Sequence, residues 1–439
     1  MNSIKYLIIG AGPYGLAMAK AMSDASIPYE HVEADSKLGG NWVHGMYESV
    51  YTITCKDQME FTDYPMPEDY PDFLSKDSML DYLNDYAQVF NLKDKIKFNT
   101  KVVWIAAIEE NKWKVFFDDG AHNIYRGVII CTGHQWDTKF ADLHGNFPGE
   151  FIHSKEYVSP KQLVNKRVMV IGAGNSAVDI ACEAARVGEY SVLSWRESPW
   201  LFPKTFMGVP LGRMNSRTFP SFLQPLLVRI LLKLTFGSHE LYNLPRPNHK
   251  PLEKLPTTSE ELPYYLKHGR VTVKPEIKKT EGNRVWFQDD SFMDFNLIVS
   301  ATGFNLSFPF LPDELVRKEG VNLKVLGYCV YPDYKGLFFL GWAETNGGVG
   351  MLAPVLSKFA VDLIKLEEET GYPSGKILKT MGNTESKKHV YGTNEVLNWI
   401  SKHKYKKLKR MAHNMNSKKH QNKTTRQSPP EGIENIRVY

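Results

Sequence analysis

The segment Tyr6-Leu7-Ile8-Ile9-Gly10-Ala11-Gly12-Pro13-Tyr14-Gly15 decides the fold of this chain. Four apolar residues lead into a glycine-rich turn, and the Ala- and Met-rich segment Leu16–Ser23 follows it. A strand, a G-x-G-x-x-G turn and a helix open a βαβ unit that holds a dinucleotide pyrophosphate at the helix N-terminus. Gly10 makes the turn, Gly12 lets the pyrophosphate approach the backbone, and Gly15 permits close packing of the helix on the strand.

The acid that follows the next strand indicates which nucleotide this unit binds. Glu33 comes directly after the predicted strand Tyr29–Val32 and lies 18 residues past Gly15. A carboxylate at this place accepts hydrogen bonds from the ribose hydroxyls and disfavours a 2′-phosphate. The first unit therefore fits FAD or NAD.

The same pattern begins again at the predicted strand Val168–Ile171. It runs into Gly172-Ala-Gly174-Asn175-Ser176-Ala177, and Arg196 follows 19 residues later, where the first unit has its acid. An arginine at this point pairs with a 2′-phosphate and favours NADPH. The neighbouring Glu197 can accept a ribose hydroxyl instead, so NADH stays open as the donor, and a solvated surface charge is the alternative interpretation of Arg196.

Two strands that end in Thr-Gly bracket this second unit, at 131–133 and at 301–303. The nesting predicts an α/β flavoprotein with two dinucleotide-binding domains, in which an NADP Rossmann-like domain is inserted into an FAD Rossmann-like domain. The predicted FAD domain spans 1–158 and 296–401, and the NADP domain spans 159–295 with a Pro-rich insert at 200–265.

Charge is concentrated at one end of the 439 residues. The segment 402–439 holds eleven Lys/Arg and two Glu, an excess of +9, which leaves −4 for the rest of a chain whose total is +5. We expect this tail to be a helix end that frays into disorder. A nucleic-acid surface should lie on a folded face, so no nucleic-acid partner is predicted.

Cysteine usage and hydropathy exclude further classes. The four cysteines are scattered without a C-x-x-C pair, which argues against a disulfide framework, a zinc site and a dithiol centre. No metal site is predicted. There is no run of 18 apolar residues and no signal-peptide pattern, so we expect a cytoplasmic protein.

A third motif lies between the two units, in Phe147-Pro-Gly149-Glu-Phe-Ile-His153-Ser154-Lys-Glu-Tyr157. It matches F-x-G-x-x-x-H-S-x-x-Y, the motif that identifies flavin-containing monooxygenases. Three further segments resemble that family: Leu38-Gly39-Gly40-Asn41-Trp42, Cys131-Thr132-Gly133-His134-Gln135 and Ala301-Thr302-Gly303-Phe304. The resemblance covers roughly residues 4–365, and the ending in Tyr157 rather than Trp favours it over the related Baeyer–Villiger enzymes.

The resemblance implies that NADPH reduces FAD and that a C4a-hydroperoxyflavin then gives one oxygen atom of O₂ to an amine nitrogen or a sulfide sulfur of a small molecule. Residues expected at FAD are Gly10, Gly12, Pro13, Tyr14, Gly15, Glu33, Gly40, Asn41, Trp42, Val102, Thr132, Gly133 and Asn346. Residues expected at NADP are Gly172, Gly174, Asn175, Ser176, Ala177, Arg196 and His153. For His153 a structural role in the interdomain connection is the favoured alternative. A further hypothesis is that the glycines at 347–350 open a helix whose positive end faces the flavin.

One position departs from the family pattern. Ile53 stands where many members carry Asn, and isoleucine donates no hydrogen bond. The hydroxyls of Thr52 and Thr54 are therefore the candidate catalytic donors. The alternatives are a largely uncoupled NADPH oxidase, a Baeyer–Villiger oxygenase, or a flavin-binding interaction protein that acts through its basic tail.

The apolar segment 222–236 contains Arg229 and Lys233, one helical turn apart. We favour a cap over the mouth of the active site, and contact with a membrane surface is the second interpretation of this segment and of the basic tail. The sequence leaves homo-oligomer formation open.

Overall fold

A computed structural model describes residues 4–214 and 224–424. The first part of the chain contains β1 Tyr6–Ile9, α1 Pro13–Asp24, β2 Tyr29–Val32, α2 Asn41–His44, α3 Lys56–Met59, α4 Lys76–Val89, β3 Ile96–Lys97, β4 Val102–Ile108, β5 Lys112–Phe117, β6 His122–Tyr125, β7 Gly127–Ile130 and β8 Asp137–Thr138. The middle part contains β9 Gly145–Asn146, β10 Glu150–His153, β11 Arg167–Ile171, α5 Asn175–Val187, β12 Tyr190–Ser194, β13 Leu201–Phe202, β14 Thr205–Phe206, β15 Val209–Pro210, α6 Leu211–Met214, α7 Gln224–Phe236, β16 Thr257–Thr258, α8 Glu261–Lys267, β17 Val271–Lys274, β18 Ile277–Glu281, β19 Arg284–Phe287, β20 Phe292–Asp294, β21 Leu297–Ser300 and β22 Phe304–Asn305. The last part contains β23 Lys318–Glu319, β24 Asn322–Leu323, β25 Leu337–Phe339, β26 Glu344–Asn346, α9 Val349–Thr370, α10 Ser374–Thr380, β27 Val390–Gly392, α11 Thr393–Lys402 and α12 Tyr405–Thr424.

The first unit is built on a five-stranded parallel sheet in the order β25-β7-β1-β2-β3. All four residues of β1 are buried, as expected for the central strand of a parallel sheet. Helix α1 begins at Pro13, three residues before the predicted start. Proline is tolerated at the first position of a helix because its missing N–H has no partner there. The predicted βαβ unit is confirmed.

The second unit is another five-stranded parallel sheet, in the order β10-β21-β11-β12-β17. The predicted boundaries at 158/159 and 295/296 are wrong, because β10 and β21 pair with each other and β21 also pairs with β11. The strand that carries the histidine of the third motif therefore belongs to the inserted unit. The chain enters and leaves this unit through β8 and β22, which form an antiparallel pair.

The basic tail begins with a helix that packs against the core of the first unit. Disorder was expected from residue 402, and for α12 this is wrong, since Leu408 and Ala412 are buried in the core of the first unit. Met411 and Met415 pack against the same core, so the apolar stripe has helical spacing within a strongly basic segment. The predicted tail beyond residue 424, and the start of the predicted apolar segment 222–236, lie outside the described residues. Among the helices that the structure describes, none is long and apolar enough to cross a bilayer.

Candidate active site

The first glycine turn packs so closely on neighbouring backbone that two of its glycines leave no room for a side chain. Gly10 has φ +101°, and a Cβ there would lie 2.8 Å from the carbonyl oxygen of Cys131. A Cβ on Gly15 would lie 1.8 Å from the carbonyl oxygen of Gly10, so α1 packs on the turn only because this residue is glycine. Gly12 faces Gly40, and a Cβ on Gly12 would meet the Gly40 Cα at 3.6 Å. The predicted turn and the Gly-Gly segment are thus brought together.

Glu33 reaches back to this turn from the end of β2. Its Oε2 accepts a hydrogen bond from the Ala11 N–H at 2.5 Å, and its Oε1 accepts one from the Asp35 N–H at 2.9 Å. The carboxylate therefore lies at the edge of the glycine turn, where an acceptor for ribose hydroxyls is needed.

Other residues expected at FAD lie in several different elements. Asn41 donates a side-chain hydrogen bond to Gln135 Oε1 at 3.0 Å. Asn346 ends β26, and Trp42 packs partly buried against the main core. Val102 is buried in the core at the start of β4, so its side chain supports the site from within. The Tyr14 ring lies against Gly341, and the nonpolar surroundings raise the pKa of its phenol.

A buried polar atom without a partner supports occupation by a ligand. Thr132 Oγ1, at the end of β7 and next to Gly133, is buried and has no hydrogen-bond partner. A buried hydroxyl without a partner costs free energy unless another group satisfies it. The glycine turn, the Glu33 carboxylate and this hydroxyl fit a bound dinucleotide such as FAD.

The second glycine turn repeats the geometry of the first. Gly172 has φ +139°, and a Cβ there would lie 2.3 Å from the carbonyl oxygen of Ala301. A Cβ on Gly174 would meet nothing within 4 Å, so the space beside this residue is open. The buried Ala177 takes the place of the third glycine under the turn. Asn175 Oδ1 accepts a hydrogen bond from the Thr258 N–H at 2.7 Å, and Ser176 hydrogen-bonds Tyr47.

The strand register shows which residue of the second unit is equivalent to Glu33, and it differs by one position from the prediction. Gly10 N–H bonds the Val32 carbonyl at 2.9 Å, and Gly172 N–H bonds the Ser194 carbonyl at 2.9 Å. Trp195, rather than Arg196, is therefore the residue equivalent to Glu33. Arg196 lies one residue further along the chain, exposed, with Nε 3.9 Å from a Glu276 carboxylate oxygen.

His153 ends β10 and is buried beside the segment by which the chain leaves the inserted unit. Its side chain is 0% exposed. Its Nδ1 accepts from the Lys155 N–H at 3.1 Å, and its Nε2 therefore carries the proton that it donates to the Gly303 carbonyl at 3.0 Å. Both ring nitrogens are satisfied within the protein, which favours the structural interpretation of His153 over contact with NADP.

A small cavity lies between the two units beside the position of the expected Asn. Its volume is ≈ 120 Å³, and it is lined by Ile53, Thr54, Cys55, Gln58, Phe73, Phe202, Pro203, Lys204, Leu211, Gly212 and Thr258. Thr52 is not in its wall. That residue is buried, and its hydroxyl accepts a hydrogen bond from the Leu74 N–H at 2.9 Å. Of the two predicted donors, only Thr54 reaches the cavity.

The positive end of α9 lies behind this cavity. The helix starts after Gly348, and a Cβ on that residue would lie 1.8 Å from the Gln58 carbonyl oxygen. The glycine cluster thus lets the helix N-terminus approach the backbone of α3. Gln58 itself contributes to the cavity wall.

Sequence reasoning missed several residues that join the two units. The Tyr47 hydroxyl donates to Asp179 Oδ2 at 2.6 Å, and burial raises the pKa of that carboxyl group. The Lys204 ammonium group lies 5.2 Å from the centre of the Phe73 ring, and burial lowers its pKa. No motif marks these positions, because a Tyr–Asp contact across 132 residues has no local sequence signal.

Comparisons with known proteins agree with this geometry. Residues 3–429 match the flavin-binding monooxygenase-like family. The N-oxide-forming dimethylaniline monooxygenase 2 of Mus musculus is 32% identical over 385 residues, which cover 81% of this chain and 70% of the relative. Flavin-containing monooxygenase 5 of Oryctolagus cuniculus is 28% identical over 396 residues, which cover 83% of this chain and 74% of that protein.

Solved structures share the fold at lower identity. OTEMO in complex with FAD and NADP superposes with a TM-score of 0.67 at 17% identity, covering 84% of this chain and 85% of that one. The S-allyl-L-cysteine S-oxygenase of Allium sativum superposes with a TM-score of 0.61 at 20% identity, covering 84% and 83%. The two-unit architecture is thus that of flavin monooxygenases. The chain belongs to the flavin-binding monooxygenase-like family and is an oxidoreductase with FAD and NADPH as its cofactors.

Proposed function

We propose that this enzyme transfers one oxygen atom from O₂ to a soft nucleophile, an amine nitrogen or a sulfide sulfur, of a small molecule. The observation that carries the proposal is the cavity between the flavin unit and the inserted unit. Its wall combines the loop at Ile53 and Thr54 with Thr258, whose N–H is bonded to Asn175 of the second glycine turn. The cavity wall is therefore joined by a hydrogen bond to the second glycine turn.

When bound, FAD reduced by NADPH supplies the activated oxygen, and the chain positions the reactants and excludes water. Ile53, Phe73 and Phe202 give the cavity an apolar wall that suits an uncharged nucleophile. Thr54 offers a hydroxyl donor in this wall. Thr52 fixes the loop through its bond to Leu74, and we therefore assign it a positioning role.

The second glycine turn and Arg196 support NADPH as the preferred donor. The open space beside Gly174 leaves room for a pyrophosphate at the N-terminus of α5. Arg196 is 79% exposed next to that turn and presents its guanidinium group to a 2′-phosphate.

Product stoichiometry tests the proposal. The FAD-loaded enzyme is supplied with NADPH, O₂ and, in separate reactions, N,N-dimethylaniline, methyl phenyl sulfide or cyclohexanone. We expect N-oxide or sulfoxide in proportion to the NADPH consumed. A lactone from cyclohexanone without any N- or S-oxide would establish the Baeyer–Villiger alternative. Hydrogen peroxide equal to NADPH with every substrate would establish an oxidase.

We also propose that α7 contacts a membrane surface. Leu226, Leu227, Ile230 and Leu234 are exposed on this helix, which also carries Arg229, and the cavity wall contains no α7 residue among those described. An apolar face with basic neighbours suits an anionic lipid surface. We expect Leu234→Glu to weaken sedimentation with phosphatidylserine vesicles, whereas Val89→Glu, at an exposed site on α4, leaves it unchanged. Equal effects of the two substitutions would contradict the proposal.

A further inference from the structure

Three potential metal ligands from distant parts of the sequence meet at the edge of the first unit. His134 follows the Thr-Gly ending of β7, Glu344 begins β26, and His389 directly precedes β27. One ligand atom from each side chain lies within 4.8 Å of the other two. The side chains are partly buried, and the two imidazole rings meet edge to face with centroids 5.3 Å apart.

In each imidazole ring, one nitrogen has a hydrogen-bond partner and the other has none. His134 Nδ1 bonds the Gly341 carbonyl at 3.1 Å, and its Nε2 is buried without a hydrogen-bond partner. His389 hydrogen-bonds the backbone of Val321, and its Nδ1 is buried without a partner. Histidines that bind metals typically donate the other ring N–H to a backbone carbonyl or a carboxylate, which fixes the tautomer and orients the ring. Both rings have this arrangement.

The charge state of the cluster also suits a cation. Glu344 Oε1 lies 3.9 Å from His134 Nε2. In the described part of the chain no Lys or Arg pairs with this carboxylate, so a bound cation would offset the cost of its burial.

We propose that His134, Glu344 and His389 bind one divalent transition-metal ion of the zinc class. Two imidazoles and one carboxylate are the donor set that such ions prefer, and calcium and magnesium prefer oxygen ligands alone. Ligand atoms about 2 Å from one zinc ion lie roughly 3.3 Å apart in tetrahedral geometry. The 3.9 Å between His134 Nε2 and Glu344 Oε1 exceeds that value, so these two side chains would move closer together around a bound ion.

An ion at this place would join the C-terminal part of the chain to the flavin unit. β27 already pairs with β26, and the Glu344 N–H bonds the His389 carbonyl at 3.0 Å. Gly133 and Asn346, which are both expected at FAD, flank two of the ligands. The metal would therefore stabilise the segments that hold the flavin without being part of the oxygen-transfer chemistry.

Metal binding to the FAD-loaded enzyme tests the proposal. After treatment with EDTA and dialysis, the enzyme is titrated with Zn²⁺ by calorimetry and with Co²⁺ by visible absorption. We expect one ion per chain, and a thermal midpoint that rises with metal concentration because the ion binds the folded state. His389→Gln and Glu344→Gln should each raise the dissociation constant for the metal by at least about 10-fold. The loss of a group that only hydrogen-bonds a metal ligand already has an effect of that size, and these variants remove the ligand itself. His268→Ala, an exposed histidine with Nδ1 on the Tyr264 carbonyl at 2.8 Å, is the matched control and should leave binding unchanged.

Two results would overturn the proposal. One is that wild-type enzyme shows no saturable binding of Zn²⁺ or Co²⁺. The other is that both Gln variants retain the wild-type stoichiometry and dissociation constant, which would place the ion elsewhere. The wild-type titration stands even if a variant does not fold.

Discussion

At the residue scale, the neighbours of Arg196 and Glu197 separate their roles. Glu197 forms an ion pair with Lys254 and accepts a hydrogen bond from Asn248 Nδ2 at 3.3 Å. Glu197 is therefore paired with a cation, whereas the ion pair that Arg196 makes within the described residues is a long contact with Glu276. This difference favours binding of a 2′-phosphate over repulsion of it.

Substitution of Arg196 tests that selection. We expect Arg196→Ala to raise the KM for NADPH by roughly 10-fold and to leave the KM for NADH nearly unchanged, because a hydrogen bond to a charged group is worth about 1.5 kcal/mol or more. Steady-state kinetics with both donors measure the effect. Arg246→Ala is the control, since Arg246 is 80% exposed on the same unit. A parallel increase for NADH would mean that Arg196 does not recognise the 2′-phosphate.

We expect Ile53 to influence how well oxygen activation is coupled to product formation. It is 40% exposed and lies in the cavity wall, where a hydrogen-bond donor would face the substrate. We expect Ile53→Asn to lower the fraction of NADPH oxidised without product by about 5-fold, equivalent to one hydrogen bond of ~1 kcal/mol. The ratio of H₂O₂ to NADPH measures this. Ile124→Asn, at an exposed site on β6, should not change the ratio.

At the element scale, the two glycine turns share a backbone but differ in the space around them. Gly15→Ala would place a methyl group 1.8 Å from the Gly10 carbonyl oxygen, so α1 must move and most of the flavin should be lost. Gly174→Ala meets no atom within 4 Å and has φ −82°, which alanine adopts readily. We expect this variant to keep its flavin but to show a higher KM for NADPH. The ratio of absorbance at the flavin band to protein absorbance, together with kinetics, separates the two outcomes; a colourless Gly174→Ala protein would contradict the assignment.

The sequence was sufficient for elements whose signals are local. A glycine turn with a strand before it and a helix after it placed Gly10 and Gly172 correctly, because each step of that pattern depends on adjacent residues. Contacts across the chain could not be predicted. The pairing of β10 with β21, the closure of the cavity by Lys204, and the burial of Leu408 each depend on segments brought together only by the tertiary fold. The offset of one residue at Arg196 likewise required the strand register.

At the scale of the whole molecule, one buried acid ties the C-terminal helices to the flavin unit. Glu367 of α9 accepts hydrogen bonds from the Gly336 N–H at 2.8 Å and from the Ser374 N–H at 2.8 Å and hydroxyl at 2.7 Å. Burial raises the pKa of this carboxyl group to about 7 despite these donors. The folded protein therefore holds a proton that the unfolded chain releases near pH 4.5.

This proton makes stability depend on pH in a defined direction. Because the folded state binds more protons between pH 4.5 and about 7, the free energy of unfolding falls as pH rises through that window, by up to about 1.4 kcal/mol per pH unit from this group. We expect Glu367→Gln to flatten that slope in urea unfolding measured across the window. Glu314→Gln, at an exposed position, should preserve the wild-type slope. An unchanged slope in the Glu367 variant would mean that other groups carry the proton.

The pairing of β8 with β22 has a consequence for exchange of the nucleotide unit. Thr138 and Phe304 are direct partners in an antiparallel pair, so the chain leaves the flavin unit and returns to it at points only about 5 Å apart. Everything between them is a single continuous stretch. The whole donor-binding unit could therefore be exchanged for another by joining the chain at these two neighbouring points. Such an exchange would leave the order of strands in the flavin sheet unchanged. We therefore expect the preference for NADPH or NADH to be transferred together with this one segment of the chain.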